Sequence, residues 1–206
     1  MANLREQKKA ETSARLLATA RKWFFERGYA GTSMDDLCAD AGVTRGALYH
    51  NFGSKEGLLE AVIRQIDAEV GDRLLEKSSD SVDPDSFIAT CLAYLEAALD
   101  PEVRQIVFQD GLAVLGQRLR DIDQEGSVEP LREAIEELQK QGSFIDGDAV
   151  ALAVLINGAM IDAALWIADA DDTNERHKAA SHALRSMLST LSCRESRHSA
   201  IDSKVR

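Results

Sequence analysis

Between Thr44 and Lys55 the chain sets an arginine, a tyrosine, a histidine and a lysine around two residues of little bulk, Gly46 and Ala47. A guanidinium can hold guanine O6 and N7 with two N–H groups, and it can equally neutralise a phosphate. The phenol of Tyr49 and the imidazole of His50 can each give a hydrogen bond to a phosphate oxygen. Lys55 opens a helical pattern, where its charge and the free amide N–H groups can jointly attract a phosphate. Gly46 and Ala47 let a helix backbone approach a groove, and the Ala47 methyl can touch a thymine methyl. The chemistry these types share is the holding of a nucleic acid. Chemistry of other kinds lacks its residues: no Ser/His/acid order with supporting context, no nucleotide-binding glycine loop and no metal-ligand spacing. His177 and His182 are five apart and do not share a helical face. No catalytic site, cofactor or metal is expected.

These side chains need rigid elements behind them. Leu16, Leu17, Ala20, Phe24 and Trp23 fall at helical spacing in a pattern from about Lys8 to Arg27, which Gly28 ends. Ser33 can cap a short helix, with Asp36 three positions on and Leu37 and Ala41 turned inward. Gly42 permits the left-handed backbone of a tight turn. Thr44 caps the next helix, from Arg45 to about Asn51, and Ser54 caps a longer one from Lys55 to about Glu76. Two short helices about a glycine turn predict a helix-turn-helix over Ser33–Phe52.

The run Gly28-Tyr29-Ala30-Gly31-Thr32-Ser33-Met34-Asp35-Asp36-Leu37, followed by Ala41-Gly42-Val43-Thr44-Arg45-Gly46-Ala47-Leu48-Tyr49-His50-Asn51-Phe52-Gly53-Ser54-Lys55-Glu56-Gly57-Leu58-Leu59, closely resembles the head of the tetracycline-repressor (TetR/AcrR) family. The resemblance covers roughly residues 8–62 without a gap. It implies an all-α protein: a three-helix DNA-binding head at 1–54, a helical ligand-binding and dimerisation body at 55–193, and a polar tail at 194–206. It further implies a homodimer on a palindromic double-stranded DNA operator, a repressor more by family habit than by any residue, released by a small-molecule effector. Thr44 to His50 would be the recognition helix, with Arg45 reading a base or a phosphate. Tyr49 and His50 match backbone-holding positions. Thr32 and Ser33 suit either a phosphate contact or, for Ser33, a plain cap. Arg5, Lys8 and Lys9 suit a basic arm or an ordinary solvated N-terminus. Asn51 departs from the aromatic or His that members often carry there. Asp35, Asp36 and Asp40 are expected on the outer side of their helix.

The remaining sequence is acidic and helical in pattern. Net charge is −11. Residues 1–75 carry 11 basic and 11 acidic side chains, and residues 76–206 carry 13 and 24, so the whole excess lies in the second part. An acidic body beside a neutral head with clustered cations is compatible with DNA binding. Ser78–Pro84 reads as a loop, followed by helical patterns at about 84–99, 102–120, 128–141, 147–170 and 174–193. The resemblance pairs the last two helices with their copies in a dimer, where small residues allow close approach. Arg104–Gly116 resembles one C-terminal subtype of the family, although Gln117 stands where that subtype often has Trp. Phe87, Cys91, Phe108, Asp110, Asn157, Asp162 and Trp166 are candidate lining residues of an effector pocket, each with plain packing as its alternative. A carboxylate of Asp110 or Asp162 in that pocket would suit a cationic or hydroxyl-bearing ligand. Cys38, Cys91 and Cys193 show no metal or disulfide spacing and read as reduced, mostly buried thiols. With no signal peptide and no window of about 18 uncharged apolar residues, the expected location is the cytoplasm, away from any membrane.

Overall fold

The structure is a computed structural model that describes residues 2–77 and 82–192, with only the backbone for residues 2–5 and 77. The loop at Ser78–Ser81, the Arg5 side chain, Cys193 and the tail 194–206 lie outside the described residues.

Every described element is helical, apart from an isolated bridge between Phe144 and Ser192. Helix α1 (Ala2–Gly31) carries Leu16, Ala20, Trp23 and Phe24 on its buried face. The expected stop at Gly28 is instead a break within α1, where the backbone turns to φ 69° and ψ 166°. Helices α2 (Met34–Ala41) and α3 (Arg45–Phe52) are set by their caps. Ser33 Oγ accepts from Asp36 N at 3.4 Å and Thr44 Oγ1 from Ala47 N at 3.2 Å, satisfying amides the helices leave free. Gly42, at φ 65° and ψ 37°, makes the left-handed turn between them. Leu16, Phe24, Leu37 and Leu48 are fully buried together with Leu58 and Leu59 of α4 (Lys55–Lys77). Each such side chain contributes about 2 kcal/mol of apolar burial.

The body continues through α5 (Pro84–Glu96), capped by a reciprocal Asp83–Ser86 box, and a single 3₁₀ turn at Ala97–Leu99. Asp100 and Pro101 then start α6 (Pro101–Val103), which runs through a π-helical stretch at Arg104–Gly111 into α7 (Leu112–Leu115). Helix α8 (Gln117–Lys140) is one continuous element, where the sequence suggests two patterns separated near 121–127. The chain breaks earlier, at Gly116 with φ 54°, because that residue tolerates the left-handed backbone. Buried Ile122 and Asp123 then hold 121–127 in the helix.

Helix α9 (Ala149–Ala168) packs most extensively on α8, and α10 (Thr173–Leu191) on α5 and α9. By length and hydropathy α9 is apolar enough to cross a membrane. It buries Ala153, Ile156, Met160, Ile161, Ala164 and Ile167 in the fold, and leaves a stripe of Val150, Val154, Leu155 and Trp166 exposed. Met187 on α10 is also exposed.

Candidate nucleic-acid interface and body cavity

Helix α3 turns Leu48 inward and exposes Arg45, Gly46, Tyr49 and His50, residues one turn apart on a single face, with Thr44 exposed just before them. Arg45 has partners already. Its Nη1 lies 2.9 Å from Asp35 Oδ1, its Nη2 donates to Tyr49 Oη at 3.3 Å, and the guanidinium lies 5.7 Å from the Tyr49 ring centre. The Tyr49 bond and then Asp35 raise its pKa. Asp35 is thus exposed, as expected, yet tied to α3. Asp40 is exposed as well, and its Oδ2 accepts from Trp23 Nε1 at 2.9 Å, which ties α2 to α1. Ala47 is half-buried, and Asn51 donates to the Ala47 carbonyl at 2.7 Å, a bond within its own helix.

Ser33 is exposed and acts as a cap. Thr32 is buried and gives its hydroxyl to the Gly28 carbonyl at 2.9 Å, so it does not share Ser33's exposure. The Lys55 Nζ lies 4.3 Å from the centre of the Tyr29 ring, and burial lowers its pKa. Burial and then Glu56 push the Tyr29 phenol up to about 12.

Tyr29 connects this region to the body. Its backbone N–H donates to Asp110 Oδ2 at 2.8 Å, and Gln105 Nε2 donates to the same oxygen at 3.2 Å. Gly28 sits against both groups: a Cβ there would lie 3.8 Å from Gln105 Nε2 and 3.9 Å from Asp110 Oδ2, in a backbone state that suits glycine. Seven residues earlier, Arg21 grips Glu102 through Nε at 2.9 Å and Nη2 at 2.8 Å, and Glu69 through Nη1 at 2.6 Å. Asp110 is therefore a clasp between body and head, not a pocket wall.

The body holds a cavity of about 500 Å³ between α4, α5 and α8, within the size range of small-molecule sites. Phe87 and Cys91 line it. Burial pushes the Cys91 thiol up to about 12, which makes it a packing group and not a reactive one. Phe108 lines a separate void of about 20 Å³, room for about one water. Three other candidates are placed away from the larger cavity. Asp162 is exposed and paired with Arg120, Trp166 is exposed with Arg176 5.0 Å from its ring centre, and Asn157 is buried and donates to Asp123 Oδ2 at 2.6 Å. Each apolar-run polar residue finds a tertiary partner that no local pattern reveals.

The sequence reading passed over the groups that make the polar inner part of the body. Asp123 also accepts from the buried Tyr94 hydroxyl at 2.6 Å. Asp67, on α4, lines the small void with Asp123 and Tyr94. Burial first, then the neighbouring Asp123, pushes the Asp67 carboxyl up to about 7. Burial likewise raises Asp123, while the Tyr94 and Asn157 hydrogen bonds oppose it. The signal was present: Ile63, Ile66, Asp67 and Val70 share one helical stripe, so an acid falls where apolar neighbours are buried.

A short helix pair with an exposed, polar second helix, fixed to a helical body with a cavity, defines a helix-turn-helix protein with a separate helical body. Residues 16–62 match the family model of bacterial regulatory proteins of the tetR family, and residues 84–191 match the tetracyclin repressor-like C-terminal domain. The chain belongs to the TetR family of transcriptional regulators. A TetR-family transcriptional regulator from Pectobacterium atrosepticum is 48% identical, with a TM-score of 0.83 over 91% of this chain and 97% of that one. The HTH-type transcriptional regulator TtgR of Pseudomonas putida is 36% identical over 100 residues, which is 47% of each protein, so the match spans about half of TtgR. RolR, at 21% identity and a TM-score of 0.71 over 88% of this chain and 89% of that one, shares the fold.

Proposed function

We propose that the chain is a dimeric, operator-binding repressor that a small molecule releases from DNA. The observation that carries the reading is the α3 face. Arg45, Gly46, Tyr49 and His50 stand exposed together on a capped, rigid helix, the arrangement a major-groove reader needs. Ser33, Thr44 and Ala47 flank that face, and Lys55 adds charge at the start of α4. The head comprises residues 1–54 and the body 55–193, with α4 shared between them by packing. The cytoplasm is the compartment in which such a protein meets DNA, and no catalytic step belongs to this reading.

The dimer would form through α9 and α10. An exposed stripe that includes Leu155 at 71% and Trp166 at 49% is unusual for a solvated helix, and a second copy would cover it. The effector would occupy the 500 Å³ cavity. RolR supports a small ligand in this fold, since its structure is a complex with the ligand resorcinol.

Selection of genome fragments on the full-length protein, followed by gel shifts, tests the reading. A short palindrome should be enriched, and Arg45→Ala should cost about 1–3 kcal/mol at one base position if the guanidinium reads a guanine. Equal loss on every operator variant would assign Arg45 to phosphate. No enrichment above a salt-sensitive background would reject operator binding.

A further inference from the structure

The charge around the body's two cavities is of one sign. Asp72 and Glu133 are the charged groups among the described residues lining the larger cavity, and Asp67 and Asp123 those lining the smaller. No described Lys, Arg or His lines either. The two cavities share Tyr94 as a common wall. Asp67 reaches the same junction from α4: Gly126, on the wall of the larger cavity, is so close that a Cβ there would lie 2.8 Å from Asp67 Oδ2.

This junction has a surplus of hydrogen-bond acceptors. Asn157 is only 1% exposed, spends its N–H on Asp123, and leaves its carbonyl Oδ1 without a partner. Pro130 lies inside α8 and has no N–H to offer the carbonyl of Gly126 four residues back. Asp123 draws its two bonds from neutral donors, Tyr94 and Asn157. Arg64 and Arg120 act on Asp67 and Asp123 only at a distance, since their direct ion pairs go to Glu60 and Glu125 and to Asp162. Buried acceptors without donors are costly, and a buried carboxylate without a cation more so. The rest of the larger cavity is apolar, with Leu74, Phe87, Leu131 and Met160 on its wall.

We propose that the effector is an amphiphilic amine, with its apolar body in the larger cavity and its ammonium at the Asp67–Asp123 junction. The proposal rests on the reading of that cavity as the effector site. An ammonium has three N–H donors and no acceptor, which matches a site with acceptors in excess. A carboxylate of the same chain length would add a further acid beside Asp67 and Asp123, neither of which has an ion pair among the described residues.

The test uses the full-length protein and three probes of one chain length: decylamine, decanol and decanoate. Binding is read by calorimetry and operator release by gel shift. Decylamine should bind at least about tenfold tighter than decanol, and decanoate weakest. Asp67→Asn and Asp123→Asn should each weaken decylamine by about tenfold and leave decanol unchanged, because each removes charge while keeping shape. Gly71→Trp serves as the control for location. Gly71 lines the larger cavity and a Cβ on it meets nothing within 4 Å, so the ring can enter the space and should block all three probes. Decanol or decanoate binding as tightly as decylamine, or decylamine binding unaltered in both Asn variants, would overturn the amine assignment and leave the cavity reading intact. Failure of every probe to bind, or binding that survives Gly71→Trp, would overturn the cavity reading and the proposal with it.

Discussion

Asp67→Asn should stabilise the protein at neutral pH and remove most of the pH dependence of its stability. The Asp67 carboxyl has an ordinary value of 3.8 and is pushed up to about 7 in the fold by burial and by Asp123. A raised carboxyl pKa means that between those values the folded chain binds more protons than the unfolded one. Stability then falls as pH rises, at about 1.4 kcal/mol per pH unit for one proton. Across the full interval the loss is on the order of 4 kcal/mol, and about 3 kcal/mol of it falls between pH 5 and pH 8. The carboxylates with lowered values, Glu56, Glu60, Glu69, Asp83, Glu125 and Glu129, act in the opposite sense, and their contribution is lost only below about pH 4.5. The window from pH 5 to pH 8 therefore isolates the buried pair.

Urea unfolding at pH 5, 6, 7 and 8, at fixed protein concentration, measures the effect directly. The native chain should lose stability steadily towards pH 8. The Asn variant should be nearly level, with a residual slope from Asp123, and should exceed the native chain by a few kcal/mol at pH 8. A native chain whose stability rises from pH 5 to pH 8 would refute the reasoning. So would an Asn variant that is less stable than the native chain at pH 8, since it would show the carboxylate to be favourably solvated or paired.

Three further perturbations follow from the geometry. Asp35→Ala frees Arg45 from its ion pair and removes a negative charge beside the DNA face, so affinity for non-operator DNA in a salt-titrated gel shift should rise several-fold; an unchanged value would show that the exposed pair carries little energy. Asp110→Ala deletes the acceptor of the Tyr29 amide and should cost about 1.5–3 kcal/mol in urea unfolding, with a weakened response of the operator complex to ligand; a fully native response would remove Asp110 from the coupling. Leu155→Asp places a charge in the exposed stripe of α9 and should shift sedimentation from dimer towards monomer; an unaltered dimer would move the interface off this face.

The head was far more legible in the sequence than the body, and the reason is range. Ser33, Gly42, Thr44 and Ser54 act within three or four residues of themselves, so a cap or turn is visible as a local pattern. Even Gly28 was recognisable as a break, although not as a break inside a continuing helix. The body depends on contacts of long separation. Asp110 meets Tyr29 across 81 positions, Asn157 meets Asp123 across 34, and Asp162 meets Arg120 across 42. An acid within an apolar run signals that some partner exists, but not whether it is a ligand, a clasp or an arginine on the next helix. The π-helical stretch at 104–111 and the unbroken α8 were hidden for the same reason, since the polar run at 121–127 reads locally as a gap that the burial of Ile122 and Asp123 closes.

The placement of those long-range contacts bears on how an occupied cavity could act on DNA. A ligand shifts a conformational balance only through contacts that differ between the two states. The segment from Pro101 to Gly111 supplies Val103, Val107 and Phe108 to the inner void, and the same segment holds α1 at Arg21 through Glu102 and at Tyr29 through Asp110. These two holds lie on either side of the break at Gly28. Helix α4 lines both cavities with Asp67 and Gly71 and begins at Lys55, stacked on Tyr29. A ligand that displaced either wall would therefore pull on the two sides of Gly28 unequally, and a glycine hinge with no side chain to resist would convert that difference into a tilt of α2 and α3. In a dimer joined through α9 and α10, the two tilts would change the separation of the α3 faces, which is the quantity a palindromic operator reads.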